Sequence, residues 1–215
     1  MNMSLNTGDN MHLTYKTDIN DLIEPYSNYK QRCIWSCGDM GYEKYHDEEW
    51  GVPLHKDDKL FECLILEIMQ AGIAWHIVLN KRKNLREAYD GFNAKIIANY
   101  TEEKIECLMQ NKGIIRYRRK IEATIANAKS FLQIQQEYGS FDNYIWKYVK
   151  YKTIQNKSKK KWKVPSKTKI SEKIAKDMMN RGFKFIGATT IYSFMQAVGM
   201  VNDHERSCFR YEECT

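Results

Sequence analysis

Cys33 and His46 stand near the start of the chain with twelve residues between them, and His204 and Cys208 stand near its end with three. If the second pair lies on a helix, that spacing puts both side chains on one face of one turn. Two thiolates and two imidazoles make a complete tetrahedral zinc set, and closed sites use these ligand types. Such a site leaves no position for water, so its metal is structural and ties the two ends of a domain together. Spacing alone leaves the ligand set open. Cys37 lies four positions after Cys33, Cys214 follows Cys208, and a lone cysteine or histidine is ordinarily a small buried group or a satisfied polar side chain.

Trp35, Tyr42, Tyr45 and Trp50 fall within sixteen residues, and Trp75 follows. These rings read either as aromatic core or as a pocket that stacks a planar ligand such as a nucleobase. A cationic ring would gain most from the aromatic quadrupoles. Glu67 sits in the apolar run Leu66-Glu67-Ile68-Met69-Gln70-Ala71-Gly72. An arbitrary glutamate on an amphipathic helix faces solvent, but a buried one needs a partner, and a cationic ligand could be that partner. The segment Arg181-Gly182-Phe183-Lys184-Phe185-Ile186-Gly187 reads as a glycine-flanked turn between two helices. It is an ordinary connection, or a phosphate cradle of backbone amides with Lys184 adding charge.

The elements that must position these residues are helical by pattern. Asp57-Asp58 opens a helix with an apolar stripe at Leu60, Phe61, Leu64, Ile65, Ile68 and Met69, and Gly72 ends it. Helices follow at Trp75 to Leu79, Phe92 to Ala98, Glu102 to Met109 and Arg118 to Gln136, with Thr101 as a start and Gly113 as a stop. Ser171 reads as the N-cap of Glu172 to Asn180, and Ile191 to Val198 is a further helix. Residues 1–29 read as a polar tail, 30–215 as one all-α domain, and the basic stretch from Lys147 to Lys169 as a surface loop.

At 215 residues the chain can bury a full core. Met1 to Asn10 carries no signal peptide, and no apolar run approaches membrane-spanning length. Six cysteines without a secretion signal then favour thiols or ligands over disulfides. The net charge of +7 favours a polyanionic partner, nucleic acid first. These features imply a soluble cytoplasmic protein, and the lack of a heptad seam a monomer.

The pieces occur in a telling order. Arg32-Cys33-Ile34-Trp35, Tyr45-His46-Asp47-Glu48-Glu49-Trp50-Gly51-Val52-Pro53, Leu66-Glu67, Gln70-Ala71-Gly72, Trp75, Lys81-Arg82, Arg181-Gly182-Phe183-Lys184-Phe185 and Val201-Asn202-Asp203-His204 closely resemble the bacterial 3-methyladenine DNA glycosylase I family. The likeness runs from about Arg32 to Cys208, and Tyr-His-Asp-x-Glu-Trp-Gly with Gln-Ala-Gly is its most specific part.

The resemblance implies an all-α helix-hairpin-helix DNA glycosylase fold, with one structural zinc ion joining the two chain ends through Cys33, His46, His204 and Cys208. Cys37 and Cys214 match no ligand. Glu67, Tyr45, Trp75, Trp35, Tyr42 and Trp50 would line the base pocket, with Glu67 the catalytic residue. Gly182, Lys184 and Gly187 would hold DNA phosphates, and Gln70 and Ile73 would probe the gap left by the extruded base. The partner would be duplex DNA containing alkylated adenine, in a bacterial cytoplasm at the nucleoid.

An alkylated adenine is cationic, so its glycosidic bond is already weak, and selectivity rests on extrusion and on recognition of charge. The position of the catalytic aspartate in the wider superfamily aligns with Asn202, an asparagine the family shares, and Lys184 lies within the turn. Base release without a lyase step is therefore expected. Ile73 stands where the family usually has leucine, and Ala74 where it often has serine. The alternatives from other classes are an inactive zinc-stabilised binder of DNA or alkylated base, and a helical interaction domain with no nucleic-acid role.

Overall fold

The computed structural model describes residues 30–156 and 164–214. The expectations for the leading tail and for the run Lys159 to Lys161 lie outside the described residues. The helices are α1 (Met40–Glu48), α2 (Asp57–Gln70), α3 (Trp75–Ala88), α4 (Ala94–Ile97), α5 (Glu102–Gln110), α6 (Arg118–Tyr138), α7 (Phe141–Trp146), α8 (Lys169–Asn180), α9 (Ala188–Ala197) and α10 (Arg210–Glu213). Two short strands, β1 (Ile154–Gln155) and β2 (Val201–Asn202), pair in parallel.

Helix α2 is the axis of the molecule. Its stripe Leu60, Phe61, Leu64, Ile65, Ile68 and Met69 is fully buried, each such side chain being worth about 1.5–3 kcal/mol. α3, α6, α7 and α9 pack around it. Its first residue does structural work of another kind. The Asp57 carboxylate accepts from Gln135 Nε2 at 2.6 Å and from the backbone N–H groups of Phe141 and Asp142 at 2.8 and 2.9 Å. One acidic side chain thus satisfies the open amides at the start of α7 and locks α2 to it. The helix ends at Gln70, and Gly72 takes a φ of +83° beyond it. That conformation favours glycine and lets the chain reverse into α3.

Several expectations are corrected. The helix from Trp75 runs on to Ala88, because Val78 and Leu85 continue its buried face among charged residues that mask the period. The expected helix from Phe92 to Ala98 shortens to Ala94–Ile97, since Gly91 (φ +69°) forces a tight turn at Asp90–Phe92 and the Asn93 side chain caps the helix that starts at Ala94. Thr168, not Ser171, is the N-cap of α8; the two side chains form a reciprocal capping box. α7 lies in a segment assigned no element, being too short for a periodic signal. The domain is mostly helical, as expected, with one pair of two-residue strands added. The stretch read as a basic loop contains a turn of 3-10 helix at Lys147–Val149 and the strand β1. The Ile154 N–H donates to Met200 O at 2.9 Å, and Asn156 N–H to Asn202 O at 3.2 Å, so two residues of strand suffice to dock the segment.

Beside the main core sits a smaller one of Cys33, Tyr45, Trp50, Ala197 and Cys208, with Trp35, Trp75, Leu79 and Phe209 packed against it. It gathers both ends of the described chain around the end of α9. The segment after α1 is stapled there: Gly51 N–H donates to Gln196 O and Leu54 N–H to Val198 O, both at 3.1 Å. A Cβ on Gly199, whose φ is +73°, would lie 2.5 Å from backbone atoms of Val52 and Pro53. The close approach of these two backbones holds α1 and its aromatic residues over α9.

Candidate active site

Cys33, His46, His204 and Cys208 are all buried, and one potential ligand atom from each lies within 4.8 Å of every other. Cys33 Sγ is 3.5 Å from His204 Nδ1; Cys208 Sγ is 3.3 Å from His46 Nε2 and 3.7 Å from His204 Nδ1. Tetrahedral zinc with ordinary bond lengths places sulfur and nitrogen ligands about 3.5 Å apart, so the cluster has the dimensions of a zinc cage. The remaining ring atoms fix the tautomers. His46 Nδ1–H donates to Asp47 Oδ1 at 2.8 Å, and Asp47 is itself held by Arg32; His204 Nε2–H donates to Trp50 O at 3.0 Å. His46 Nε2 and His204 Nδ1 are thereby left as lone-pair donors toward the cluster centre. The backbone amides of Glu205 and Arg210 donate to the two sulfurs at 3.2 and 3.4 Å, which favours thiolates. Of the two sulfurs, Cys208 accepts from the Cys33 thiol and is held far below the ordinary thiol range, while Cys33, the donor, is pushed up. His204 and Cys208 do not share a helix, contrary to the spacing argument: the chain between them is a turn, with Cys208 N–H donating to Glu205 O at 2.8 Å.

Trp35, Tyr45, Trp50, Glu67, Gln70, Trp75, Ser193 and Gln196 line a cavity of about 240 Å³ directly beside this cluster. Ring centroids of Trp35 and Trp50 lie 5.0 Å apart, and those of Tyr45 and Trp75 5.3 Å apart. His46 and Tyr45 are neighbours on α1, so the same helical turn sends one side chain to the Cys/His cluster and the other to the cavity. Tyr42 is set back. It packs edge-on against Trp35 at 5.9 Å and does not line the cavity.

Glu67 enters this cavity from the start of the last turn of α2 and is only 6% exposed. Its Oε2 has no hydrogen-bond partner among the described residues, nor does the indole Nε1 of Trp75. Burial alone pushes the Glu67 carboxyl up to about 8, because nothing nearby stabilises its charged form. The cavity therefore offers four aromatic rings, one unsatisfied acceptor and one unsatisfied donor.

A second cavity of about 380 Å³ adjoins the first, sharing Glu67, Gln70 and Ser193 with it and adding Ala71 to Ala74, Thr189 and Thr190. Gln70 and Ile73 thus stand on one rim, and the start of α9 forms the other. The turn from Gly182 to Gly187 links α8 to α9 as expected, with Gly182 at φ +95°, Gly187 as the N-cap of α9 and the Lys184 side chain exposed. Asn202 does not reach either cavity. Its side chain is buried, donating to Gln155 Oε1 and Tyr211 O at 2.8 Å and accepting from His204 N–H at 3.1 Å.

Sequence reasoning passed over Gln196 and Ser193 in the cavity wall, because they are isolated polar residues of α9 with no motif of their own. Gln196 Nε2 donates to Asp203 Oδ2 at 2.8 Å, and Asp203 also accepts from Tyr192 and Asn156. It also passed over the ion-pair chain in which Arg82 of α3 binds Glu49, just past the end of α1, at 2.7 Å and the buried Glu62 of α2 at 3.0 Å.

The family model described as methyladenine glycosylase matches residues 35–211. A DNA-3-methyladenine glycosylase of Haemophilus influenzae is 44% identical over 177 residues, covering 82% of this chain and 96% of the relative. A crystal structure of a 3-methyladenine DNA glycosylase I superimposes with a TM-score of 0.81 at 46% identity, covering 83% of this chain and 98% of that one. The Staphylococcus aureus 3-methyladenine DNA glycosylase I, whose structure addresses 3-methyladenine recognition, gives a TM-score of 0.80 at 33% identity, over 83% of this chain and 95% of that one.

The raised Glu67 carboxyl has a signed effect on stability. Between its ordinary value of 4.5 and its folded value of about 8 the native state holds a proton the unfolded chain has lost, so stability falls as pH rises through that window. Glu67→Gln removes this cost. The variant should match the parent below pH 4.5 and become more stable above it, by on the order of 4 kcal/mol at pH 8 and beyond. Denaturant melts across pH measure the difference.

Proposed function

The chain belongs to the methyladenine glycosylase family, and from that membership we propose that it hydrolyses the N-glycosidic bond of 3-methyladenine in alkylated duplex DNA, releasing the free base and leaving an abasic site. The observation that carries this reading is the buried Glu67 carboxyl group, its Oε2 unpartnered among the described residues, in a cavity walled by Trp35, Tyr45, Trp50 and Trp75. A neutral, unmodified adenine would leave that group either protonated or as an uncompensated buried charge. A cationic alkylated adenine would complete it: the ring stacks on the aromatic walls, its edge donates to Glu67, and the ion pair forms away from water. Recognition therefore rests on charge as well as shape.

The duplex hides the base, so the nucleotide must leave the stack. Gln70 and Ile73, on the rim of the adjoining cavity, would occupy the gap, and the backbone amides around Gly182 to Gly187 with Lys184 would hold phosphates beside it. Water then attacks C1′ of the sugar as the bond from C1′ to the base breaks. The bonding pair leaves with the base, which departs neutral, and the proton of the attacking water goes to solvent. The positive leaving group supplies most of the driving force, which is why no carboxylate base is required opposite the sugar. Asn202, occupied by its bonds to Gln155, Tyr211 and His204, does not supply one. Lys184 lines neither cavity, and the reaction stops at the abasic site without a lyase step. A bacterial repair enzyme of this kind works in the cytoplasm on the nucleoid. No helix among the described residues is long and apolar enough to cross a membrane.

The donor set and its spacing fit one zinc ion held by Cys33, His46, His204 and Cys208 in a helix-hairpin-helix glycosylase framework. Bound there, zinc would cross-link the chain ends and take no part in the reaction. His46 is the link between the two roles, because its backbone neighbours Tyr45 of the cavity.

Incubation with methylated duplex DNA, followed by identification of the released bases, tests the reaction. The wild type should release 3-methyladenine, and Glu67→Gln should lose at least about 10-fold in kcat/KM. The parent's kcat/KM should rise with pH and level off above about 8, a limb the variant lacks. No base release by folded, zinc-loaded wild type would instead leave an inactive binder. Metal analysis tests the clasp separately: Cys208→Ala should lose the zinc and melt at lower temperature, and a chelator should destabilise the parent in the same way.

A further inference from the structure

The turn after α2 that lines the adjoining cavity and the hairpin turn that leads into α9 are both held by one helix that lines neither cavity. Lys120, on α6, is 4% exposed, and its Nζ donates to Met69 O at 2.8 Å and to Ala71 O at 2.6 Å. These carbonyls flank Gln70 at the end of α2, where the last turn leaves its acceptors without helical partners. A cation at that end is favoured by the helix dipole, although burial draws the lysine's own pKa down. Seven residues on, the fully buried Asn127 grips the hairpin turn from both sides. Its Nδ2 donates to Lys184 O at 3.1 Å, and its Oδ1 accepts from Lys184 N–H at 2.7 Å.

Positions seven apart lie on nearly the same face of a helix and about 10 Å apart along its axis. α6 adds further contacts on the hairpin side. Ser130 Oγ sits 3.0 Å from where a Cβ on Gly182 would stand, and Arg119 lies over the Phe185 ring at 6.0 Å. Phe185 itself is held at φ +56°, a conformation that needs support from its surroundings.

We propose that α6 is a gauge: Lys120 and Asn127 are positioning residues that set the spacing between the turn that fills the duplex gap and the turn that holds the backbone. The proposal rests on the glycosylase reading for what these turns touch, but its geometry is that of the fold. It separates the residues of the molecule into two groups. Glu67 and the aromatic walls decide whether a base already in the cavity is bound. Lys120 and Asn127 decide whether duplex DNA can deliver one.

That separation gives the test. Lys120→Met and Asn127→Ala, singly and together, are assayed for affinity for undamaged duplex, for single-turnover base release from methylated duplex, and for affinity for free 3-methyladenine by tryptophan fluorescence. Each single variant should lose ~10-fold or more in duplex binding and release, since small misplacements of a positioned group carry such penalties, while its affinity for the free base stays within about 2-fold. The double variant should be little worse than the poorer single one, because either break already frees the spacing. Parallel loss of free-base binding, additive losses in the double variant, or undiminished duplex binding overturns the gauge. Should Lys120→Met fail to fold, the split between duplex and free base in Asn127→Ala still decides. Wild type that binds duplex but releases no base would sink the glycosylase reading alone; wild type that releases base with variants equally active would sink only the gauge.

Discussion

A buried carboxyl group facing aromatic rings, with one oxygen that has no hydrogen-bond partner among the described residues, is the constraint on which this structure turns. Glu67 is costly to ionise where it stands, because burial takes its carboxylate from water without supplying a protein partner, and that state persists only if the surrounding packing is rigid enough to keep polar side chains from swinging in to pair with it. The protein meets that need by placing Glu67 on its most deeply buried helix, one turn before the helix ends, so that its backbone is immobile while its carboxylate reaches the cavity. No cation among the described residues pairs with it: the buried Arg82 binds Glu49 and Glu62, and Lys120 binds backbone carbonyls. The carboxyl group is thus left for a ligand, and the ligand that fits is one whose own positive charge favours the ionised form.

The aromatic wall must be equally fixed, and it comes from the part of the chain least able to fix itself. Trp35, Tyr45 and Trp50 lie on a 3-10 turn, a short helix and the loop after it, none of which would hold its shape alone. Cys33, His46, His204 and Cys208 converge beneath them, and Gly51 and Gly199 let the backbone pass close enough to seal the contact. A metal clasp there would substitute for a hydrophobic core that so small a layer cannot build. The hairpin side is braced differently, by hydrogen bonds from α6, because its turns must stay exposed to meet a polyanion.

Much of this was legible in the sequence, for physical reasons that differ by element. The apolar stripe of α2 and the runs at Glu102 and Arg118 announce helices by period. The ligands, Glu67 and the aromatic set were findable because rare residue types in a specific order resemble one family, and the structure brings all of them but Tyr42 to the cluster or the cavity. What the sequence hid were features set by tertiary contact. β1 is two residues long and exists only because β2 is beside it. His204 and Cys208 converge through a turn rather than a helix. The clamps of Lys120 and Asn127 join residues about fifty positions apart, with no local pattern to betray them.

The charge state of Glu67 tests the account most directly. Carboxyl carbon NMR of protein labelled at glutamate, titrated with and without 3-methyladenine, and assigned through Glu67→Gln, reads it without reference to turnover. The free protein should show one carboxyl titrating near 8, moving to lower pH when the base is bound. A Glu67 that titrates at the ordinary glutamate value in the free protein, or that does not respond to the base, would contradict the claim that an unpaired buried carboxylate selects a cationic ligand.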